Sequence, residues 1–365
     1  MQSYLGRYVF LATVVAIGTL PVLPRATSPP SARDLLRDIA QMSDAEWAAI
    51  GRGEAVAKVL ATDTREVAVA GAVRIASSSE RLVGRYREIE SLKRSAIVLE
   101  IGRFSKPPRP ADLAAVPFED YNLDLRDCRP GDCRVRLGEP AIVRFHREVD
   151  WRAADWRERS SGVWREVLDG YATDFSRGGP SALPTLVNKR EPLSVPAEFS
   201  LLVPNFAFVA SFSPAFHAYL RDFVPGGPEE FDEILYWSKE DFGVRPVLRL
   251  SHQAIGRAPE AVLIATTQIY ADHYLDAGLT VTMALDAKGE DGAPAFYMIS
   301  VSRVRTRSLA GMLRAFIRST VQNRSRDALR KILASTKSSL EQQRAPGVEQ
   351  GTPASSSTAS SPPRQ

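Results

Sequence analysis

The sequence predicts an α+β protein: a curved antiparallel sheet packed on a long C-terminal amphipathic helix, with a helical insertion. Three observations predict it. First, residues 232–306 hold five strand-like runs, DEILYWS, RPVLRLSHQAIG, AVLIATTQIYAD, LTVTMALDA and AFYMISVSRVRT. Glycine, proline or acidic residues punctuate them, as in a meandering sheet. Second, residues 307–343 carry one apolar stripe, from Leu309, Met312, Leu313, Phe316, Ile317 and Val321 to Leu329, Ile332, Leu333, Thr336 and Leu340. Third, about 105–195 breaks the strand pattern, and residues 151–175 have helical spacing at Trp156, Val163, Trp164, Val167, Leu168 and Tyr171.

Each element follows in order. MQSYLGR, a run of mostly apolar residues and PRATSPPS have the layout of an export signal over residues 1–27. The run is short for a membrane span, so a cleaved signal and a retained anchor at residues 8–23 are both open, and the protein is expected in the periplasm or secreted. Residues 31–52 read as helix, with Ser31 as a cap and a second start at Ser43. Residues 54–104 then read β-β-α-β: GEAVAKVLAT and EVAVAGAVRIAS alternate, SSERLVGRYREIESLKR has helical spacing, and SAIVLEIGRF returns to strand. PPRPADLAAV leads into a short helix. FEDYNLDLRDC and CRVRLGEPAI are expected to pair as a hairpin across the turn at Pro130-Gly131. SRGGPSALP, residues 176–184, is the best internal boundary. FVASFSPAFHAYLRDF is expected to be helical, kinked or restarted at Pro214. Residues 31–344 form one domain, and the Pro/Ser/Thr/Gln-rich tail, 345–365, is expected to be disordered.

The totals suit a globular chain. It has 365 residues, 44% hydrophobic and 25% charged, with a formal charge of +4. The basic excess is diffuse, and zinc-finger, recognition-helix and ribonucleoprotein motifs are missing, which argues against nucleic acid as a partner. Cys128 and Cys133 flank the Pro-Gly turn, and in an exported chain they are expected to form a disulfide. Soft ligands for a metal are lacking nearby, and no metal or cofactor is expected.

The order of elements resembles the START / Bet v 1-like (SRPBCC) helix-grip superfamily over about residues 54–340. GAVRIASSSERLVGRYREIE is similar to that family's opening strand and first helices. SLAGMLRAFIRSTVQNRSRDALRKILASTKSSL is similar to its closing helix. The resemblance implies a sheet wrapped around the terminal helix with an apolar cavity between them. Residues 105–195 depart from that pattern, and no site residue is carried over.

Chemistry has few candidates. The sequence lacks an H-E-x-x-H, a P-loop, a G-x-G-x-x-G and a G-x-S-x-G elbow. His273, in Tyr270-Ala-Asp-His-Tyr274, is the weak catalytic candidate, with Asp272 to orient it and Tyr270 or Tyr274 to supply a hydroxyl. A short link between strands is the commoner explanation. His252, beside Gln253, faces the same two readings. Gln268, Tyr270, Tyr274 and Arg303 are the ligand-binding candidates. Alternation puts Ile264, Thr266, Gln268 and Tyr270 on one face of a strand. Buried amides and hydroxyls there need partners that a ligand could supply. Arg303 could receive a carboxylate or phosphate.

The expected function is non-catalytic binding of a lipid-like or other hydrophobic small molecule in an internal cavity. The basic face of the last helix adds contact with a membrane surface as an option. One alternative is a hydrolase or cyclase using His273. Another is an envelope-interaction protein that docks a partner through an exposed patch of Trp151, Trp156 and Trp164.

Overall fold

A computed structural model of the chain describes residues 29–94, 97–116, 118, 124–223, 231–241, 245–289, 291–309 and 315–342. The expected signal and the expected disordered tail lie outside these residues. Among the described residues, no helix is long and apolar enough to cross a membrane.

The helical stripe of residues 31–52 divides into two capped helices. Ser31 accepts from the Asp34 N–H at the start of α1 (Ala32–Ala40), and Ser43 and Glu46 form a reciprocal capping box on α2 (Asp44–Gly51). Gln41, at φ 49°, ends the first helix in the left-handed region. β1 (Val56–Val59), β2 (Glu66–Ile75), α3 (Ser79–Arg87), α4 (Ile89–Lys93) and β3 (Val98–Arg103) follow, as the alternating and helical patterns predict.

The segment between β3 and the next long strand is mainly helical. It holds α5 (Glu139–Glu148), α6 (Trp156–Gly178), a small hairpin of β4 (Thr185–Leu186) and β5 (Leu193–Ser194), α7 (Val195–Ser200) and α8 (Pro214–Asp222). Pro214 restarts a helix after a 3-10 stretch, Val203–Ser211, with Ser213 as its cap. The 176–184 stretch is packed rather than open. Gly179, at φ +60°, is buried against Phe223, whose ring lies 2.3 Å from where a Cβ would sit.

Among the described residues the hairpin expected across the cysteines does not form; residues 119–123 of its first arm lie outside them. Cys128 and Cys133 are disulfide-bonded, with Cα atoms 4.4 Å apart, and Arg129 and Asp132 make a single bridge inside the loop. The flanking backbone bonds elsewhere: the Cys133 N–H donates to the Asn188 carbonyl, Arg136 to that of Asp272, and Val187 donates to that of Leu137. With those groups satisfied by other segments, a local ladder has nothing to gain.

Five long strands follow: β6 (Asp232–Glu240), β7 (Val247–Ala258), β8 (Ala261–Ala271), β9 (Ala277–Lys288) and β10 (Pro294–Arg305). They join β1, β2 and β3 in an eight-stranded antiparallel sheet of order β1-β2-β10-β9-β8-β7-β6-β3. The meander from β6 to β10 is closed by β2, which pairs with β10. A 3-10 turn at Arg307–Leu309 follows β10, and the terminal helix α9 runs over Ala315–Gln342. The first part of the predicted stripe, residues 310–314, lies outside the described residues.

The sheet is covered on both faces. On the first, the insertion face, Ala68, Ala70, Ala72, Leu263, Ala265, Leu279, Val281 and Ile299 pack against α1, α2, Phe199, Phe206, Phe216 and Tyr219. On the second, the helix face, Val69, Val73, Ile264, Phe296 and Met298 pack against Leu82 and Val83 of α3 and Leu329, Leu333 and Leu340 of α9. A Cβ on Gly71 would lie 2.9 Å from Leu333 Cδ1, so β2 and the terminal helix approach closely there. A third cluster joins α5, α6 and the disulfide loop to Trp237, Leu248, Leu250 and Tyr270 at one end of the sheet.

That cluster takes Trp164 out of the expected tryptophan patch. Trp164 is fully buried, between Phe118 and Phe145, and Trp151 and Trp156 pack half-buried against the same cluster. The helical spacing that predicts α6 also sends Trp164 inward with Val163, Val167 and Leu168.

Candidate functional site

The strand registers define the site on the helix face. Thr266 of β8 faces Thr280 of β9, and Thr280 faces Ser302 of β10. Thr282 faces Ser300 one step along. Gln253 of β7 faces Thr266, and Ser251 faces Gln268. These residues share one face because partners across an antiparallel pair point the same way. The result is a floor of hydroxyls and amides in the middle of the sheet.

The floor is partly hydrogen-bonded to itself. Thr280 and Ser302 hydroxyls lie 2.8 Å apart, and Thr282 and Ser300 hydroxyls 3.0 Å apart. The Tyr86 phenol of α3 reaches Thr282 at 3.4 Å, and burial pushes that phenol's pKa up, so it stays neutral. Thr266, Thr280, Ser302 and Val304 are half-buried, whereas Val69, Val73, Ile264 and Met298 toward α3 and α9 are buried. Toward β6 the same face turns ionic. Arg249 donates to Glu240 at 2.8 Å, Ser238 donates to the other carboxylate oxygen at 2.8 Å, and the Lys93 ammonium stands 5.2 Å from the Tyr236 ring centre. Burial raises the Glu240 pKa, but Arg249 and Lys93 outweigh it and hold the carboxyl below its usual range. The face therefore grades from apolar through hydroxyl to charged.

The four ligand-binding candidates from the sequence do not meet on one surface. Gln268 lies on the helix face. Its amide nitrogen donates to the Leu275 carbonyl at 3.3 Å, and its oxygen is buried without a partner. Tyr270 lies on the opposite face, contrary to simple alternation. Ser251 pairs with Gln268 but Leu250 pairs with Tyr270, so Ile269 is the extra residue of a bulge. The Tyr270 phenol donates to the Arg136 carbonyl at 2.6 Å and its ring packs on Tyr171. Tyr274 occupies the β8–β9 turn at φ 56°, where its carbonyl accepts from Thr306. Arg303 points to the insertion face and is ion-paired with Glu66.

Arg303 belongs to a charged network that ties distant segments together. Arg305 reaches Glu198 at 2.6 Å and Asp63 at 3.1 Å, and Arg65 also pairs with Glu198. Fully buried Asp276 accepts from Arg136 at 2.6 Å and from the Arg307 N–H at 2.6 Å. The network joins the insertion to β2, β9 and β10. For the buried members, the cost of desolvation offsets much of the attraction.

The histidines sit apart from the floor. His273 Nδ1 lies 3.1 Å from the Asp272 carboxylate, and neither ring nitrogen makes a hydrogen bond. Asp272 accepts from the Leu248 N–H, and the Tyr270 phenol is committed to Arg136, so Tyr270 does not join His273. His252 lies on the insertion face with Tyr219, whose phenol is 3.4 Å from its Nε2, and with Glu233 at 3.5 Å. Burial opposes ionisation of Glu233, but the bonds from His252 and Tyr219 win and lower its pKa. Phe175, Phe199, Phe223 and Thr267 close around this trio, leaving a void of about 10 Å³, enough for one water. Among the described residues, no three His, Cys, Asp or Glu side chains are grouped to hold a metal ion.

Sequence reading missed the row of Thr280, Thr282, Ser300 and Ser302. The signal was present: in LTVTMALD and MISVSRV the hydroxyl residues recur at every second position. The register that stacks them across three strands was not readable. No protein-family model and no curated protein match the chain. Fold and site together define an α+β protein whose large antiparallel sheet carries a polar, partly open patch on the face that packs against the C-terminal helix.

Proposed function

We propose that the protein binds an amphipathic small molecule on the helix face of its sheet, in a helix-grip arrangement. The observation that carries this reading is the hydroxyl and amide floor of half-buried Thr266, Thr280 and Ser302 with buried Gln268, set between α3 and α9. Strand order supports the arrangement. β2 leads through α3 and α4 to β3 at the far edge, the meander returns to pair β10 with β2, and α9 packs over β2. The gradation of the face suits a ligand with an apolar body and a polar end, rather than a wholly apolar lipid. Around His252 the insertion face suits a ligand poorly, since Phe175, Phe199, Tyr219 and Phe223 fill it.

Export through residues 1–27 and a periplasmic or secreted location belong to the same reading. The test is native mass spectrometry of the full chain purified from cells that produce it, followed by solvent extraction. The reading expects an adduct of a few hundred daltons that organic solvent removes. Protein that is ligand-free from every source, and that takes up no amphiphile on addition, would sink it.

A further inference from the structure

Two glutamines decide which kind of polar end the floor accepts. Gln253 and Gln268 lie diagonally across β7 and β8 on the helix face, 0% and 2% exposed. Each amide has a fixed orientation. Gln253 Nε2 donates to the Tyr86 carbonyl at 3.0 Å and Gln268 Nε2 to the Leu275 carbonyl at 3.3 Å, so in each case the atom at that carbonyl must be nitrogen. That leaves both Oε1 atoms buried with no hydrogen-bond partner. Hydroxyl groups can turn to donate or accept, but these two oxygens only accept.

We infer that the floor selects ligands whose polar end donates a hydrogen bond, an alcohol or an amide N–H, over isosteric ligands that only accept. This rests on the proposed binding face. A donor supplies what the two oxygens lack, whereas an ether or ester oxygen meets them lone pair to lone pair and leaves them unsatisfied. Discrimination by a site built for a hydrogen bond exceeds what an apolar pocket achieves for the same change of one group. Gly278 lies beside Gln268. A Cβ there would lie 3.5 Å from Gln268 Oε1, so a methyl would fit without strain and cover the acceptor.

The test compares 1-decanol with decyl methyl ether, titrated into the full chain and read by calorimetry. The expected result is an affinity at least about tenfold higher for the alcohol, the size of effect that a buried unpaired acceptor produces. Gln268→Leu and Gly278→Ala should each bring the ratio toward one while the ether still binds. Equal affinities in the unaltered protein overturn the inference and leave the binding face standing. If neither probe binds, both fail. A ratio that survives in folded Gln268→Leu and Gln253→Leu also overturns it, because the preference then arises elsewhere. The comparison in the unaltered protein needs no variant to fold.

Discussion

Leu333→Ala is the sharpest perturbation of the contact between the terminal helix and the sheet. Leu333 is 0% exposed and meets β2 at Gly71, while its neighbour Ile332 is 52% exposed on the other side of α9. The substitution removes three carbons, worth ~2 kcal/mol in transfer free energy at about 0.8 kcal/mol per methylene. The cavity left against the rigid β2 backbone adds to this, and buried Leu→Ala changes span about 2–5 kcal/mol. A loss of about 3 kcal/mol is expected. With a urea dependence of about 3 kcal/mol per molar, the unfolding midpoint falls by about 1 M. Ile332→Ala on the same turn is the control, expected within about 0.5 kcal/mol of the parent. Urea titration followed by far-UV circular dichroism measures both. Equal losses, or a larger loss at Ile332, would show that α9 does not pack on the sheet through this stripe.

Three further outcomes follow from named contacts. Gly71→Ala places a methyl 2.7 Å from the Val56 carbonyl oxygen, a backbone atom that cannot swing aside, and should cost about 1–3 kcal/mol in the same titration. Replacing Cys128 and Cys133 together by serine opens a loop with a sequence separation of 5. Chain entropy for so small a loop gives about 2 kcal/mol, seen as a lower melting temperature that reducing agent reproduces in the parent. The Glu240 carboxyl is held below its ordinary value of 4.5 in the folded protein, so its contribution is present above that pH and is lost as pH falls through the lowered folded value. Urea midpoints measured from pH 6 down to pH 3 should therefore fall less steeply in Glu240→Gln than in the parent. Parallel curves would mean that Arg249 and Lys93 do not stabilise the ionised carboxylate.

The fold was legible where one physical signal dominates. Alternation in LTVTMALDA and AFYMISVSRVRT marks strands because one residue in two packs against a core, and the stripe of Leu329, Leu333 and Leu340 marks the buried side of α9. It was not legible where long-range pairing decides. The segment around Cys128 and Cys133 looks like a hairpin locally, but Asn188, Asp272 and Val187 take its backbone bonds. The bulge at Ile269 turns Tyr270 from the face of Gln268 to the opposite one, and alternation carries no mark of the inserted residue. Arg303 reads as a free strand-end cation until β2 brings Glu66 beside it. Gln268 is legible as a polar residue on an apolar strand; that Gln253 lies beside it follows only from the register of β7 on β8.

The adjacent threonines of β8 offer the most direct test of the binding face. Thr266 lies on the floor with Thr280, whereas Thr267 points the other way and lines the closed void near His252. With threonine methyls isotopically labelled, a spin-labelled medium-chain alcohol should broaden the Thr266 and Thr280 signals and leave Thr267 sharp. Broadening of Thr267 with Thr266 and Thr280 unchanged would place the ligand on the insertion face and contradict the account.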